Sequence, residues 1–485
     1  MPSTTDDDAR RAARRVQLIT YPNSLGGDLE ALGRLLRGGL SGVFPGGVHI
    51  LPPFPSSGDR GFAPIDATVI EPSFGTWVDI EVIATESPVT LDVMVNHVSR
   101  HSPQFVDFVA HGRASRWADL FITLDKVWPG GEPDPADVAK IFLRKPEHPF
   151  SDITIAATGT VERVWTSFGP RVDWSEQIDI DITSPLADEL YRSWFERFAA
   201  HGVKGVRLDA IGYVVKRRGT SCFMVEPEIW LFLDRIAGIA AEFGLSILPE
   251  VHDGPGTFAA IAERGHVGYD FALPGLVLDA LIGGDATDLA AWLGALPGNV
   301  VTMLDCHDGI PIQPDLVGVL PEDRLRRIVD HCVERGANVN RILAAAPGTF
   351  DAHQINITYP SACGSDDAYL LARAIQLFAP GTPQVYYVGL LAGKNDPDAV
   401  VTQGDGRAIN RHDFTDAEID AALGSPVARR QLELIELRNT HPAFAGDLTV
   451  EQPAPHLLSL RWVHGADTCE LRADLAAATH ELYAS

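Results

Sequence analysis

Eight short apolar runs, rich in β-branched residues, recur along the chain with helix-like segments between them. No other feature constrains the fold as strongly. The runs cover residues 16–20, 47–51, 90–95, 203–208, 245–248, 269–271, 300–304 and 384–388. Continuous apolar runs suit strands covered on both faces, and segments such as 185–200 and 228–243 supply helical crossovers. Parallel strands need such crossovers. Eight in order predict an α/β fold closed as a (β/α)8 TIM barrel.

The spacing is uneven. About a hundred residues separate Asn96 from Lys204, too many for one βα unit. We therefore expect residues 1–100, 179–308 and 366–439 to build a catalytic barrel, with 101–178 an inserted small domain over its C-terminal face. A second insertion, 309–365, holds the loop-rich stretch GANVNRILAAAPGTFDAHQINITYP. Past about residue 440, short alternating runs (LLSLRWV) predict a C-terminal β domain over 440–485.

Composition narrows the function. The net charge of −26 repels polyanions, which disfavours nucleic acid and anionic membranes as partners. No apolar run reaches the roughly 18 residues of a membrane span. The start, MPSTTDDDARRAARR, lacks the apolar core of a secretory signal. Five cysteines (Cys222, Cys306, Cys332, Cys363 and Cys469) show no CxxC spacing. An odd number so placed argues against a disulfide framework or a zinc site and for reduced thiols in the cytoplasm. Oligomeric state is left open.

Polar residues collect just after four of the strands. Asp92, Asn96 and His97 end the third, Arg207 and Asp209 the fourth, Glu250 and His252 the fifth, and His307 and Asp308 follow the seventh. Barrel strands converge at their C-terminal ends, so Asp209, Glu250 and Asp308 should lie within side-chain reach of one another. Such a trio suits glycoside chemistry. One carboxylate attacks the anomeric carbon, a second, protonated, serves the leaving oxygen, and a third offsets the oxocarbenium charge. Arg207, two residues before Asp209, should hold it ionised and aimed. A cation held by Asp92, Asn96 and His97 is the competing reading, and the lack of a dense carboxylate cluster around them disfavours it.

The blocks DVMVNH (92–97), GVRLDAIGY (205–213), ILPEVHD (247–253) and LDCHDG (304–309) resemble, in order, the four motif regions of the α-amylase superfamily. VQLITYPNSLGGD, GTSCFM (219–224), YDFALP (269–274), TPQVYYVGLLAGKND (382–396) and GRAINRH (406–412) are similar to the sucrose phosphorylase group within it. The resemblance runs to about residue 415 and is weak past about 440. It implies Asp209 as nucleophile, Glu250 as general acid/base, Asp308 as transition-state stabiliser and Asp305 as structural. It places Asp59, Phe62, His97, Gln177, Arg207, Tyr213, His307 and Arg407 around a glucosyl unit. It implies retention through a glucosyl-enzyme, with phosphate as acceptor, and neither metal nor cofactor.

The group acts on sucrose, sucrose 6F-phosphate, glucosylglycerol and glucosylglycerate. Two loops bear on the choice: IFLRKPEHPF (141–150) and FDAHQIN (350–356). Arg144 and His353 stand where plain sucrose phosphorylases carry proline and tyrosine, which resembles the members that take sucrose 6F-phosphate. Arg144 can meet a phosphate dianion with a forked, charge-assisted pair, and His353 gains charge beside a phosphate. Lys145 matches the group's usual arginine and would serve inorganic phosphate. Asp351 and Gln354 fall at acceptor positions. Ala352, where leucine is common, leaves room, so activity on plain sucrose is expected as well.

Overall fold

The computed structural model describes residues 14–169, 175–342 and 349–485. Residues 1–13 of the charged start, 170–174 of the first insertion and 343–348 of the second lie outside the described residues. All eight predicted runs are strands of one parallel sheet. They are β1 Gln17–Thr20, β2 Gly47–Ile50, β3 Val89–Met94, β4 Val203–Asp209, β5 Ser246–Pro249, β6 Gly268–Asp270, β7 Val300–Thr302 and β8 Thr382–Tyr386.

The ladder runs β6-β7-β8-β1-β2-β3-β4-β5, which is chain order around a ring. β5 and β6 lie side by side without ladder bonds and close the barrel. Pro249 ends β5 at that seam, where a residue lacking an N–H forfeits no ladder bond.

The helix signals hold too. Helix Pro185–Ala200 is capped by Ser184, and Pro185 opens it where no N–H is needed. Leu190, Tyr191, Trp194, Phe195 and Phe198 recur at one-, three- and four-residue steps and bury one face against the barrel. Helix Glu228–Glu242 buries Ile229, Phe232, Leu233, Ile236 and Ile239 in the same way.

After β3, a short strand His97–Ser99 pairs with Gln177–Asp179, and a hairpin joins Phe150–Thr154 to Val161–Trp165. Trp128, Phe150 and Trp165 anchor a small apolar cluster there, separate from the barrel core. Beyond β7, strands Ile310–Pro311, Asn338–Arg341 and Ala352–Asn356 form an antiparallel sheet. The chain ends in four antiparallel strands, Asp447–Ala454, Leu457–His464, Asp467–Asp474 and Thr479–Ala484. Leu458, Leu460 and Trp462 face inward with period two, and the Trp462 indole donates to the Phe378 carbonyl at 2.8 Å.

Asp305 has a structural place. Its carboxylate meets Arg373 at 3.2 Å, with both side chains nearly inaccessible. A Cβ on Gly389 would come within 2.6 Å of Arg373 Nη2 and closer still to Asp305 Oδ2. Gly389→Ala is therefore expected to split this pair and to cost about 3 to 5 kcal/mol, read from denaturant unfolding.

Candidate active site

Register builds the floor of the site. In the β3–β4 ladder, Asp92 lies opposite Arg207 and Met94 opposite Asp209. Arg207 is 3% exposed and reaches three carboxylates: Asp92, Asp209 at 3.2 Å and Glu250. Asp92 also takes His49 Nε2 at 2.7 Å. A side chain two residues before Asp209 on the same strand points to the same face. It thus gathers the groups that end β4 and β5 around one guanidinium.

A cavity opens above this floor at the C-terminal ends of the strands. Asp209, Glu250 and Asp308 line it, with Asp59, Phe62, His97, Tyr213, Gln177, His307, Gln354, Arg407 and Arg144. Burial and the neighbouring Glu250 carboxylate push Asp209 well above the ordinary carboxylate range. Asp209 and Glu250 meet the same guanidinium, and each carboxylate's charge opposes the other's. Asp308 goes the other way. Burial would raise it, but His307, Arg407, Arg411 and His252 override that and hold it far below the usual range. Arg407 and Arg411 lie 3.4 and 3.5 Å from its Oδ1.

The cavity therefore offers Asp209, pushed toward its protonated form, beside Asp308, held toward its ionised form. Metal-ligand atoms of Glu250, His252 and Asp308 also come within 4.8 Å of one another. Arg207 and Arg407 already pair with the two carboxylates, which leaves them poorly free for an ion.

The remaining walls are set by neutral hydrogen bonds and stacking. His97 Nε2 is 2.9 Å from the Phe62 carbonyl, so it carries the proton, and burial holds the ring neutral. Gln177 donates to the same carbonyl at 3.2 Å. Phe62 stacks on His307 at 4.9 Å and 4°. Burial pushes His307 down to about 3. Asp59 sits at φ 48 and Arg60 at φ 51, a left-handed turn that presents the Asp59 carboxylate to Arg407.

Arg144 enters from the inserted segment. Its Nη1 lies 2.8 Å from His353 Nε2. His353 Nδ1 is 2.6 Å from the Gln313 carbonyl, so the proton sits on Nδ1 and Nε2 accepts from Arg144. Burial and Arg144 push His353 down to about 3. Among the described residues no carboxylate pairs with Arg144.

Four expected site residues stand elsewhere. Arg207 lies beneath the floor. His353 lies behind Arg144 as a neutral acceptor, in place of the charged phosphate contact expected of it. Lys145 is turned inward, 3% exposed, with Ser151 at 3.5 Å and Thr166 as partners. Asp351 pairs with Arg341 outside the cavity wall. Ala352 is buried and leaves no room in the cavity itself.

Cavity residues that motif reading passed over include Phe168, Phe223, His252 and Asn340. Phe223 lay inside GTSCFM, and His252 was visible as the polar end of β5. Phe168 and Asn340 had no local signal. His252 is 3.1 Å from Asp315, whose charge raises it against the effect of burial.

A parallel eight-stranded barrel with an Asp, a Glu and an Asp at the ends of its fourth, fifth and seventh strands is the architecture of the α-amylase superfamily. No family model matches the chain. It is 51% identical over 465 residues to sucrose 6(F)-phosphate phosphorylase of Thermoanaerobacterium thermosaccharolyticum, covering 95% of each chain. It is 42% identical to glucosylglycerol phosphorylase of Marinobacter adhaerens, over 95% of this chain and 94% of that one. The crystal structure of sucrose 6F-phosphate phosphorylase from Thermoanaerobacter thermosaccharolyticum superposes with a TM-score of 0.94 at 50% identity, covering 97% and 96% of the two chains. The chain belongs to the sucrose phosphorylase group of the α-amylase superfamily.

Proposed function

We propose that this protein is a retaining glycoside phosphorylase. It cleaves sucrose 6F-phosphate with inorganic phosphate to α-D-glucose 1-phosphate and fructose 6-phosphate, and it also accepts sucrose. The observation that carries the phosphorylated donor is Arg144. It lines the cavity, has no carboxylate partner among the described residues, and is aimed by a neutral imidazole. A half-buried guanidinium without a carboxylate partner favours an anionic ligand. In a chain of net charge −26 such a local cation offsets the global field. Relatives named for sucrose 6(F)-phosphate and for sucrose support the donor class.

The chemistry follows from the two carboxylates. Asp209 attacks the anomeric carbon as the bond to the fructosyl oxygen breaks, and Glu250 gives a proton to that oxygen. Asp308, kept ionised, stabilises the oxocarbenium-like charge. Phosphate then attacks the same carbon, the ester to Asp209 breaks, and Glu250 recovers a proton from the phosphate. Two inversions give net retention. Arg407, held by Asp59 and Asp308, orients the glucosyl unit. Neither a redox partner nor a resident metal enters these steps. The cytoplasm fits this reading, since none of the five thiols is paired.

The test is initial release of α-glucose 1-phosphate from sucrose 6F-phosphate and from sucrose with phosphate present. A preference for the phosphorylated donor, below about 10⁴-fold, agrees with the proposal, since that ratio already equals about 5.5 kcal/mol. Equal rates point to a general sucrose phosphorylase. Release from neither moves the donor to glucosylglycerol or glucosylglycerate.

His353→Ala removes the acceptor that aims Arg144. It is expected to lower kcat/KM for the phosphorylated donor about tenfold, the worth of one hydrogen bond to a charged group. His353→Gln, which keeps an acceptor, recovers part of it, and kcat/KM for sucrose stays nearly constant.

The pH profile has a defined sign. Asp209 must be ionised to attack. Burial and the neighbouring Glu250 carboxylate raise it, so it gains its charge only as pH climbs above the ordinary carboxylate range. The acid limb of kcat/KM should therefore lie above that range, and Glu250→Gln, which removes the neighbouring charge, should move it down. A limb that stays in place in Glu250→Gln would assign it to another group.

A further inference from the structure

Lys216 lies past β4, and its side chain is absent from the cavity wall. Its ammonium is 2.7 Å from the Asp179 carboxylate, and the two side chains are 3% and 0% exposed. It also donates to Asn96 Oδ1 and Ser167 Oγ, each at 3.0 Å, and to the Tyr213 carbonyl. Asp179 is bound in turn by Asn96 Nδ2 at 3.0 Å, Ser167 N at 2.7 Å and Ser167 Oγ at 2.6 Å. Burial alone would raise Asp179, but Lys216 and Ser167 hold it below the usual carboxylate value.

The four oxygens come from four separate places in the chain, and each adjoins a cavity wall. Asn96 precedes His97, and its amide nitrogen is 3.4 Å from His97 Nδ1. Ser167 precedes Phe168, whose ring meets His97 at 5.4 Å and Tyr213 at 4.9 Å. Asp179 pairs with His97 across the strands and shares its own strand with Gln177. Tyr213 is itself a wall.

We propose that Lys216 is a positioning residue of the glucosyl subsite: an internal cation that ties the inserted segment to the strand ends and sets the spacing of His97, Phe168, Gln177 and Tyr213. An ammonium suits the task because it supplies three donors and balances the buried Asp179 charge, which a neutral donor cannot do. Lys216 acts on substrate only through these walls. The inference rests on reading the cavity as a glucosyl site.

Lys216→Met alone leaves Asp179 buried and unpaired, and loss of folding would then mask the effect. Lys216→Met combined with Asp179→Asn replaces the pair by neutral groups of similar size and keeps the fold testable. Three quantities are measured beside the melting temperature: donor KM, phosphate KM, and the calorimetric Kd of a glucose-shaped imino sugar. Donor KM and imino-sugar Kd are expected to rise at least tenfold, while phosphate KM stays within twofold, because Arg144, the cation of the acceptor side, lies outside the cage. A purely structural role would lower the active fraction, scaling kcat and leaving each KM and Kd unchanged, and that result overturns the inference. Failure of the parent enzyme to release α-glucose 1-phosphate would sink the proposed function alone, since imino-sugar binding still decides the role of Lys216. A parent that binds no imino sugar would end both.

Discussion

Asp209→Asn lowers the turnover of either donor by about 10⁴-fold or more, equivalent to about 5.5 kcal/mol of barrier. The amide keeps the shape of the carboxylate and loses the charge that attacks carbon. No neighbour can replace it. Asp92 is fully buried and already holds Arg207 and His49. Asp308 is drawn toward Arg407 and Arg411. Glu250 is needed for the proton. Stability should change little by comparison, because Arg207 keeps Asp92 and Glu250 as partners. The measurement is α-glucose 1-phosphate release at matched folded concentration, with intact-mass detection of a glucosyl adduct on the parent after denaturing quench. Residual activity above about 1% of the parent would place the nucleophile elsewhere.

The second large effect falls on one donor only. Arg144→Ala is expected to lower kcat/KM for sucrose 6F-phosphate by about 10²- to 10³-fold and to leave sucrose within threefold. Truncating one partner of a buried, hydrogen-bonded charge pair costs about 3 to 4 kcal/mol, because the phosphate is then enclosed without a counter-ion. Sucrose has no dianion to strand, so the lost guanidinium matters little to it. Arg144→Lys should recover the charge without the fork, and thus only part of the loss. An equal fall on both donors would mean that Arg144 shapes the pocket and reads no phosphate. No fall on either would favour a sucrose phosphorylase without phosphate preference.

Much of this was present in the chain's local patterns. All eight barrel strands followed from short apolar runs, because a strand covered on both faces must be apolar at successive positions. Helix Pro185–Ala200 carried its cap, its opening proline and its buried stripe in plain order. Asp209, Glu250 and Asp308 were legible for the same reason: a barrel brings every strand end to one face, so position along a strand predicts proximity.

Contacts between distant segments were not legible. Arg144 and His353 are 209 positions apart, and only the packed structure turns the histidine into an acceptor behind the arginine. Lys145, one residue from Arg144, is turned inward to Thr166, because the loop's path and not its composition decides which of two adjacent cations faces the cavity. Pro249 made sense only once the β5–β6 seam was seen to lack ladder bonds. Lys216 carried no motif, and its importance comes from four oxygens that meet around one ammonium. The sequence by itself determined the barrel and its carboxylates, since both follow from periodicity along single strands. Only the tertiary structure decided which charges are paired, neutral or free, since burial and partners set that and both arise from segments far apart in the chain.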